Sequence, residues 1–215
     1  GVYNDSEQYL QMHIHREPLY PLFLWVLRLC TSEHYLILMG IVQNFFMAVS
    51  IWLLTRSIAR KFSFSAGWQL LLVLIQVFPH LMTKYFSVMG VFITNSVMSE
   101  ALTFPLFTLW IMNTLEFLWE GKRKNAVGML VFSFLLSLTR SQMMVTILIF
   151  FFAELYRLIL VCKRKRILVS VLGLVLLITV VFGVRTLTVR CYNLAVHGRF
   201  INNTYGNVNL VTDMI

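Results

Sequence analysis

Apolar stretches of membrane-spanning length recur along the chain, and each is cut off by a short polar or basic segment. A helix needs about 20 largely apolar residues to cross the hydrocarbon of a bilayer. Its backbone hydrogen bonds are satisfied within the segment, so apolar runs of this kind are read as helices. Tyr35–Thr55 has the required length and ends at Arg56, Arg60 and Lys61. Ala66–Phe86 follows, with Pro79 predicting a kink, since a proline inside a helix frees backbone groups that need other partners. Ala101–Trp119 runs into Lys122-Arg123-Lys124, and Met143–Cys162 into Lys163-Arg164-Lys165-Arg166. Ala126–Leu138 is short, and Thr139-Arg140-Ser141-Gln142 interrupts it before the next run. Ile167–Leu187 is the last. Pro18–Cys30 is too short to cross unaided and is expected to be an interfacial or re-entrant helix, with Tyr20, Phe23 and Trp25 suited to the headgroup level.

The expected fold is therefore an all-α, polytopic membrane bundle of about six spans plus one outer interfacial helix. Residues 1–34 form the outer loop and that helix, 35–187 the transmembrane bundle, and 188–215 the start of another outer loop. Six crossings put both ends on one side and the basic clusters at 56–61, 122–124 and 163–166 on the other. Short basic loops mark the cytoplasmic face.

Composition agrees. Of 215 residues, 59% are hydrophobic and 13% charged, against roughly 45–50% and about 25% in soluble domains. The formal net charge of +9 would suggest nucleic acid in a soluble protein. Here the basic residues lie between apolar runs, so topology and anionic headgroups account for them. Membrane lipids are the expected partners and nucleic acid is not. Cys30, Cys162 and Cys191 are scattered without a C-x-x-C pair. Gly1 is not a natural start, no signal peptide precedes it, and the chain stops abruptly after Asp213-Met214-Ile215; the sequence reads as a piece of a longer polytopic protein.

Polar residues crowd the first twenty positions: Asp5, Glu7, Tyr9, His13, His15, Arg16, Glu17 and Tyr20. Ionisable groups beside a membrane entry are costly and are kept where they have a function. The topology places Asp5, His15, Arg16, Lys84, Glu100, Arg140, Arg185 and Arg190 at outer helix ends or outer loops. Each alone has a plainer reading: Lys84 snorkelling, Glu100 capping a helix start, Arg185 and Arg190 solvated. Arg140 resists one, because it lies between two apolar runs with no polar loop around it.

Several chemistries find no motif. There is no nucleotide-binding G-x-x-x-x-G-K-[ST], no H-E-x-x-H and no G-x-S-x-G, and no D-x-D. His13 and His15 lack an evident third metal ligand, so no metal and no cofactor is called for. What remains is a carboxylate, Asp5 or Glu7, able to take a proton from a hydroxyl. Guanidinium groups, Arg16 and Arg140, are able to clamp phosphate oxygens. Both sit at the lipid boundary, where a donor with an apolar tail and a phosphate head is held.

Asp5-Ser6-Glu7-Gln8-Tyr9, followed by His15-Arg16-Glu17-Pro18-Leu19-Tyr20-Pro21, resembles the first outer loop of GT-C glycosyltransferases such as the aminoarabinose transferases and protein O-mannosyltransferases. Ser99-Glu100-Ala101-Leu102 resembles the Ser/Thr-Glu-x-Leu at the outer start of a later helix in that family, and Leu138-Thr139-Arg140-Ser141 its Leu-Thr-Lys/Arg interruption. Glu17-Pro18 replaces the usual Pro-Pro, and the acidic neighbour of Asp5 is displaced to Glu7. The resemblance implies an inverting transferase that takes a sugar from a polyprenyl-phosphate-linked donor to an acceptor lipid, glycan or protein. The reaction is expected on the non-cytoplasmic side of a bacterial cell membrane. It further implies Asp5 as catalytic base and Arg16, Arg140 and Lys84 as ligands of the donor phosphate, with Glu7, Tyr9, His15, Tyr20 and Glu100 in support. The alternative is a transporter or lipid flippase that binds an anionic solute or headgroup with the same outer charges.

Overall fold

The computed structural model describes residues 6–86, 90–161 and 167–202. Among these the fold is helical throughout, with no strand. Eight helices follow in order: α1 (Ser6–Leu10), α2 (Leu19–Thr31), α3 (Tyr35–Phe62), α4 (Ala66–Phe86), α5 (Glu100–Glu120), α6 (Arg123–Thr139), α7 (Val145–Val161) and α8 (Ile167–His197). Short 3₁₀ turns at Ser32–His34, Ile93–Asn95 and Ser141–Met144 join some of them.

Local chemistry sets the breaks. Ser63 adopts a left-handed φ of 52° after α3, and its N–H closes on the Ala59 carbonyl. Gly121 does the same after α5, with φ 64° and its N–H on Phe117 at 2.8 Å, the backbone conformation that glycine adopts most cheaply. Arg140 is extended, with φ −150° and ψ 130°. It therefore ends α6 and turns the chain into α7, where the sequence places the interruption.

Among the described residues five helical stretches are long and apolar enough to cross a membrane: Leu19–Phe62, Ala66–Phe86, Glu100–Glu120, Ser141–Leu160 and Ile167–His197. The first is broken at Ser32, whose φ of 45° reverses the chain, so α2 folds back on α3 and Tyr20 meets Gln43. With 13 residues, α2 spans only about 20 Å and covers the bundle at one end. The expected sixth run, α6, has 17 residues, about 26 Å of rise against roughly 30 Å of hydrocarbon. It starts at Arg123, earlier than its apolar residues begin. At the other extreme, α8 continues through Arg185 and Arg190 to His197, so the chain after residue 187 begins as helix rather than loop.

The core lies where α5 and α6 pack against α2, α3 and α7, around Tyr20, Leu106, Trp110, Phe117, Met129 and Leu136. Polar links stitch it together. The Trp110 indole N–H donates to Ser133 Oγ at 2.8 Å, and Ser133 in turn donates to the Thr146 carbonyl at 3.2 Å. By contrast α4 and α8 expose large apolar side chains, Trp68, Leu70 and Phe86 on one and Leu168, Val169 and Leu176 on the other. An apolar surface so continuous is incompatible with water and natural in lipid. The described helices are those of an integral membrane protein.

Charge is segregated along the bundle. At one end Ser57 donates to Glu116 at 2.7 Å and Lys61 lies 5.8 Å from the Trp119 ring. The ends of α3 and α5 are thereby tied beside the Lys122–Lys124 loop. Residues 163–166, the third basic cluster, lie outside the described residues. The opposite end carries the polar cluster described below.

Gly128 lets α6 pack tightly against Asn113 on α5. A Cβ there would stand 2.1 Å from Asn113 Oδ1, and Asn113 is buried with its amide on the Leu109 carbonyl at 2.8 Å. Gly128→Val is expected to push α5 and α6 apart and cost about 1–3 kcal/mol. Thermal unfolding in detergent checks this. Gly173→Val, which meets nothing within 4 Å, is expected to leave the midpoint unchanged.

Candidate functional site

Three segments distant in sequence meet at the polar end. The N-terminal segment enters first: Ser6 Oγ donates to the Val97 carbonyl at 2.8 Å, which pins α1 to the strand of loop before α5. One turn later Tyr9 is buried with its ring edge-on to Tyr20, centroids 5.1 Å apart. Tyr20 has no exposed surface. Its hydroxyl donates to the Ser96 carbonyl at 3.3 Å and accepts from Gln43 Nε2 at 3.0 Å. These two tyrosines form the floor on which the polar residues are mounted.

Above it runs one directed chain of hydrogen bonds. Arg16 Nη1 donates to the Tyr9 hydroxyl at 3.3 Å, the guanidinium lying 4.6 Å from the Tyr9 ring centroid, while its Nε donates to Gln8 at 2.9 Å. The Tyr9 hydroxyl meets Ser99 Oγ at 3.0 Å, and Ser99 donates to Glu100 Oε2 at 3.3 Å. Glu100 Oε1 accepts from Arg140 Nη1 in an ion pair. Because Arg16 and Ser99 supply the outer protons, the Tyr9 hydroxyl is the donor to Ser99. The order is then Arg16 to Tyr9 to Ser99 to Glu100, with Arg140 arriving from the far side. Thr103 Oγ1 and Thr139 Oγ1, 3.1 Å apart, hold the start of α5 against the end of α6 just below.

The cluster is partly open. About a third of each side chain in the Glu100–Arg140 pair is exposed, 29% and 32%. One guanidinium N–H is engaged by Glu100, and a guanidinium has five, so Arg140 keeps donors for an anion while its position is fixed.

Arg16, Tyr9, Glu100 and Arg140, read separately from the sequence, belong to this one chain, and Tyr20 packs beneath it. Others stand apart. Glu7 is exposed and accepts from Gln11 at 2.8 Å on the opposite side of α1. His15 pairs with His13, ring centroids 4.6 Å apart. Partial burial, then the His13 and Arg16 charges, hold its pKa below the ordinary imidazole value, so it stays uncharged at neutral pH next to Arg16. Lys84 lies over the Phe92 ring at 4.4 Å, and among the described residues no hydrogen bond or ion pair joins it to Glu100 or Arg140. Asp5 lies outside the described residues.

Two residues exceed their sequence reading. Glu17, the departure from the Pro-Pro pattern, is 6% exposed and pairs with Arg185 Nη2 at 2.5 Å. Arg185, read as a solvated outer residue, is only partly exposed in α8 and also reaches the Ser137 carbonyl at 3.4 Å. The loop that carries Arg16 is thereby clamped to α6 and α8. The only local signal was an acidic residue directly before the proline that opens α2. Among the described residues no group of three or more His, Cys, Asp or Glu is placed to hold a metal ion. Compared with protein-family models, curated proteins and solved structures, the chain matches none.

Proposed function

We propose that this protein is a membrane glycosyltransferase of GT-C type, transferring a sugar from a polyprenyl-phosphate-linked donor to an acceptor hydroxyl. The observation that carries this reading is the hydrogen-bonded chain from Arg16 through Tyr9, Ser99 and Glu100 to Arg140. It joins the three segments whose motifs resemble that family and brings two guanidinium groups to the same end of the bundle. Two fixed cations suit a phosphate that gains charge as it leaves, and an apolar membrane surround suits a polyprenyl tail. The basic loops at the other end of the bundle favour a cytoplasmic position for that end, and so a non-cytoplasmic one for the polar cluster.

In the proposed step the acceptor oxygen attacks the anomeric carbon while the bond from that carbon to the phosphate oxygen breaks. The electron pair leaves with the polyprenyl phosphate, which Arg16 and Arg140 stabilise. The acceptor proton passes to the Asp5 carboxylate. Attack opposite the leaving group inverts the anomeric centre. Glu100 and Ser99 hold the cations in place and take no part in bond making. The reading of Lys84 as a third phosphate ligand has no support from its position over Phe92 and is not retained in this step.

The test is transfer from a radiolabelled polyprenyl-phosphate sugar in membranes containing the protein. Arg140→Ala is expected to lower kcat/KM by roughly 10²-fold or more, the size of effect that loss of one stabilising group at a developing charge produces. It should raise KM as well as lower kcat, because the cation holds the phosphate in ground and transition states alike. Donor turnover indifferent to Arg140 and Arg16 would remove the reading.

A further inference from the structure

The helices α3 and α4 are joined by a tight turn and linked by Gln76 Nε2 donating to Thr55 Oγ1 at 2.9 Å, yet a groove is left beside this link. Between them lies a cavity of about 550 Å³, lined by Met47, Ile51 and Thr55 on α3 and by Leu70, Val73 and Val77 on α4. These positions recur at three- and four-residue intervals, so each helix presents one continuous stripe to the gap. A second cavity of about 280 Å³ shares Trp52, Thr55 and Gln69 with the first and adds Arg56 and Arg60. Together they make one groove, apolar along its length and doubly cationic at the basic end of the bundle. At its other end lie Asn44, Thr94 and His80, so the apolar stretch has a definite length.

We propose that this groove holds one acyl chain of an anionic phospholipid, with the lipid phosphate on Arg56 and Arg60. The inference concerns the opposite end of the bundle from Glu100 and Arg140 and does not depend on the transfer reaction. Protein interiors are packed without voids of this size, and the outward side of α4 is exposed and apolar, with Trp68, Leu74 and Ile75 on its surface. In a bilayer the neighbouring hydrocarbon fills such a gap. The rise from Met47 to Thr55 is about 12 Å, close to the roughly 15 Å depth of one leaflet. At the mouth, the Arg56 guanidinium lies 5.0 Å from the Trp52 ring centroid. Stacking on an aromatic face leaves its N–H edge free for phosphate oxygens. Arg60 follows one turn later and is exposed, and two cations at one headgroup favour a lipid with net negative charge over a zwitterionic one. Thr55 and Gln69, between the cations and the apolar stripe, lie at the level of the ester groups.

Native mass spectrometry of the purified protein with added phosphatidylglycerol or phosphatidylcholine of identical acyl chains tests this. Phosphatidylglycerol is expected to be retained at least about tenfold more strongly. The double change Arg56→Gln with Arg60→Gln is expected to bring it down to the phosphatidylcholine level. Ala48→Phe, at a residue that lines the cavity, fills the groove without altering either cation and is expected to displace both lipids. Glycerol phosphate, the head without the tail, is expected not to compete. Equal retention of the two lipids, no lipid adduct on the wild-type protein, or undiminished phosphatidylglycerol on Ala48→Phe would each overturn the proposal. Gel filtration and helicity by circular dichroism establish that each variant is folded. None of the three substitutions touches Arg16, Glu100 or Arg140, so their outcome is separate from that of the transfer assay.

Discussion

Arg185→Met is expected to destabilise the folded protein by about 3–5 kcal/mol, the cost of removing one partner from a buried ion pair. Glu17 is 6% exposed and the Arg185 side chain 11%, so neither charge is relieved by solvent once its partner is gone. Glu17→Gln is expected to cost a comparable amount, because it strands the guanidinium between α6 and α8. The informative variant is the double replacement Glu17→Leu with Arg185→Met. Apolar groups of similar volume often replace a buried pair at no net cost, so the double variant is expected to recover most of the loss. Unfolding midpoints in detergent, combined as a double-mutant cycle, measure the coupling, which with two single losses of this size and a nearly neutral double variant is expected to be at least about 5 kcal/mol in magnitude. Costs below about 1 kcal/mol for both single changes would mean that the pair is solvated in the membrane-bound protein. The consequence reaches the polar cluster, since Glu17 follows Arg16 directly. Releasing the clamp is expected to loosen the Arg16–Tyr9 contact, so the single variants should lose donor affinity as well as stability.

How much of this was legible in the sequence follows from the range over which the interactions act. The apolar runs specify α4, α5 and α7 closely, because membrane burial is a property of each segment alone; of α3 they specify the start, and the helix runs on through Arg56, Arg60 and Lys61 to Phe62. Arg140 is legible for the same reason: a charge amid apolar residues has to break the helix or find a partner, and it does both. The boundaries that moved are those where helix and apolar run part company. α6 begins at Arg123 and α8 passes through Arg185 and Arg190, since a backbone hydrogen-bond ladder continues past charged side chains wherever these find a partner. Arg185 finds one in Glu17, 168 residues away, and Tyr9 meets Ser99 across 90. No local periodicity encodes such pairings. The clustering of Arg16, Glu100 and Arg140 at one end was readable only through the order of the spans, which fixes the end of the bundle and not the contact. Nor did any pattern announce the groove, because the stripes on α3 and α4 look like ordinary packing faces until the gap between them is seen.

Asp5→Asn is expected to lower kcat for sugar transfer by roughly 10²–10⁴-fold, the usual contribution of a general base, with little change in donor KM. Asparagine keeps the size of the side chain and one acceptor oxygen but cannot take the proton from the attacking hydroxyl. Stability should be unaffected, which distinguishes this variant from Arg185→Met. The competing carboxylate is Glu7, and its own position argues against it. Glu7 is exposed on α1 and accepts a hydrogen bond from Gln11, while Ser6 and Tyr9 on the same helix are buried toward Val97 and Ser99. Glu7 is thereby turned away from the polar cluster. Glu7→Gln is accordingly expected to retain near wild-type turnover. The measurement is initial rate of transfer at saturating donor for wild type, Asp5→Asn and Glu7→Gln, with the anomeric configuration of the product determined in parallel. Loss confined to Glu7→Gln would move the base to that residue and require α1 to turn in the working protein. Full activity in both variants would mean that neither carboxylate takes the proton, and the polar end would then be a clamp for a phosphate head without the transfer step. Retention of configuration at the anomeric carbon would exclude the single inverting attack, whatever the rates.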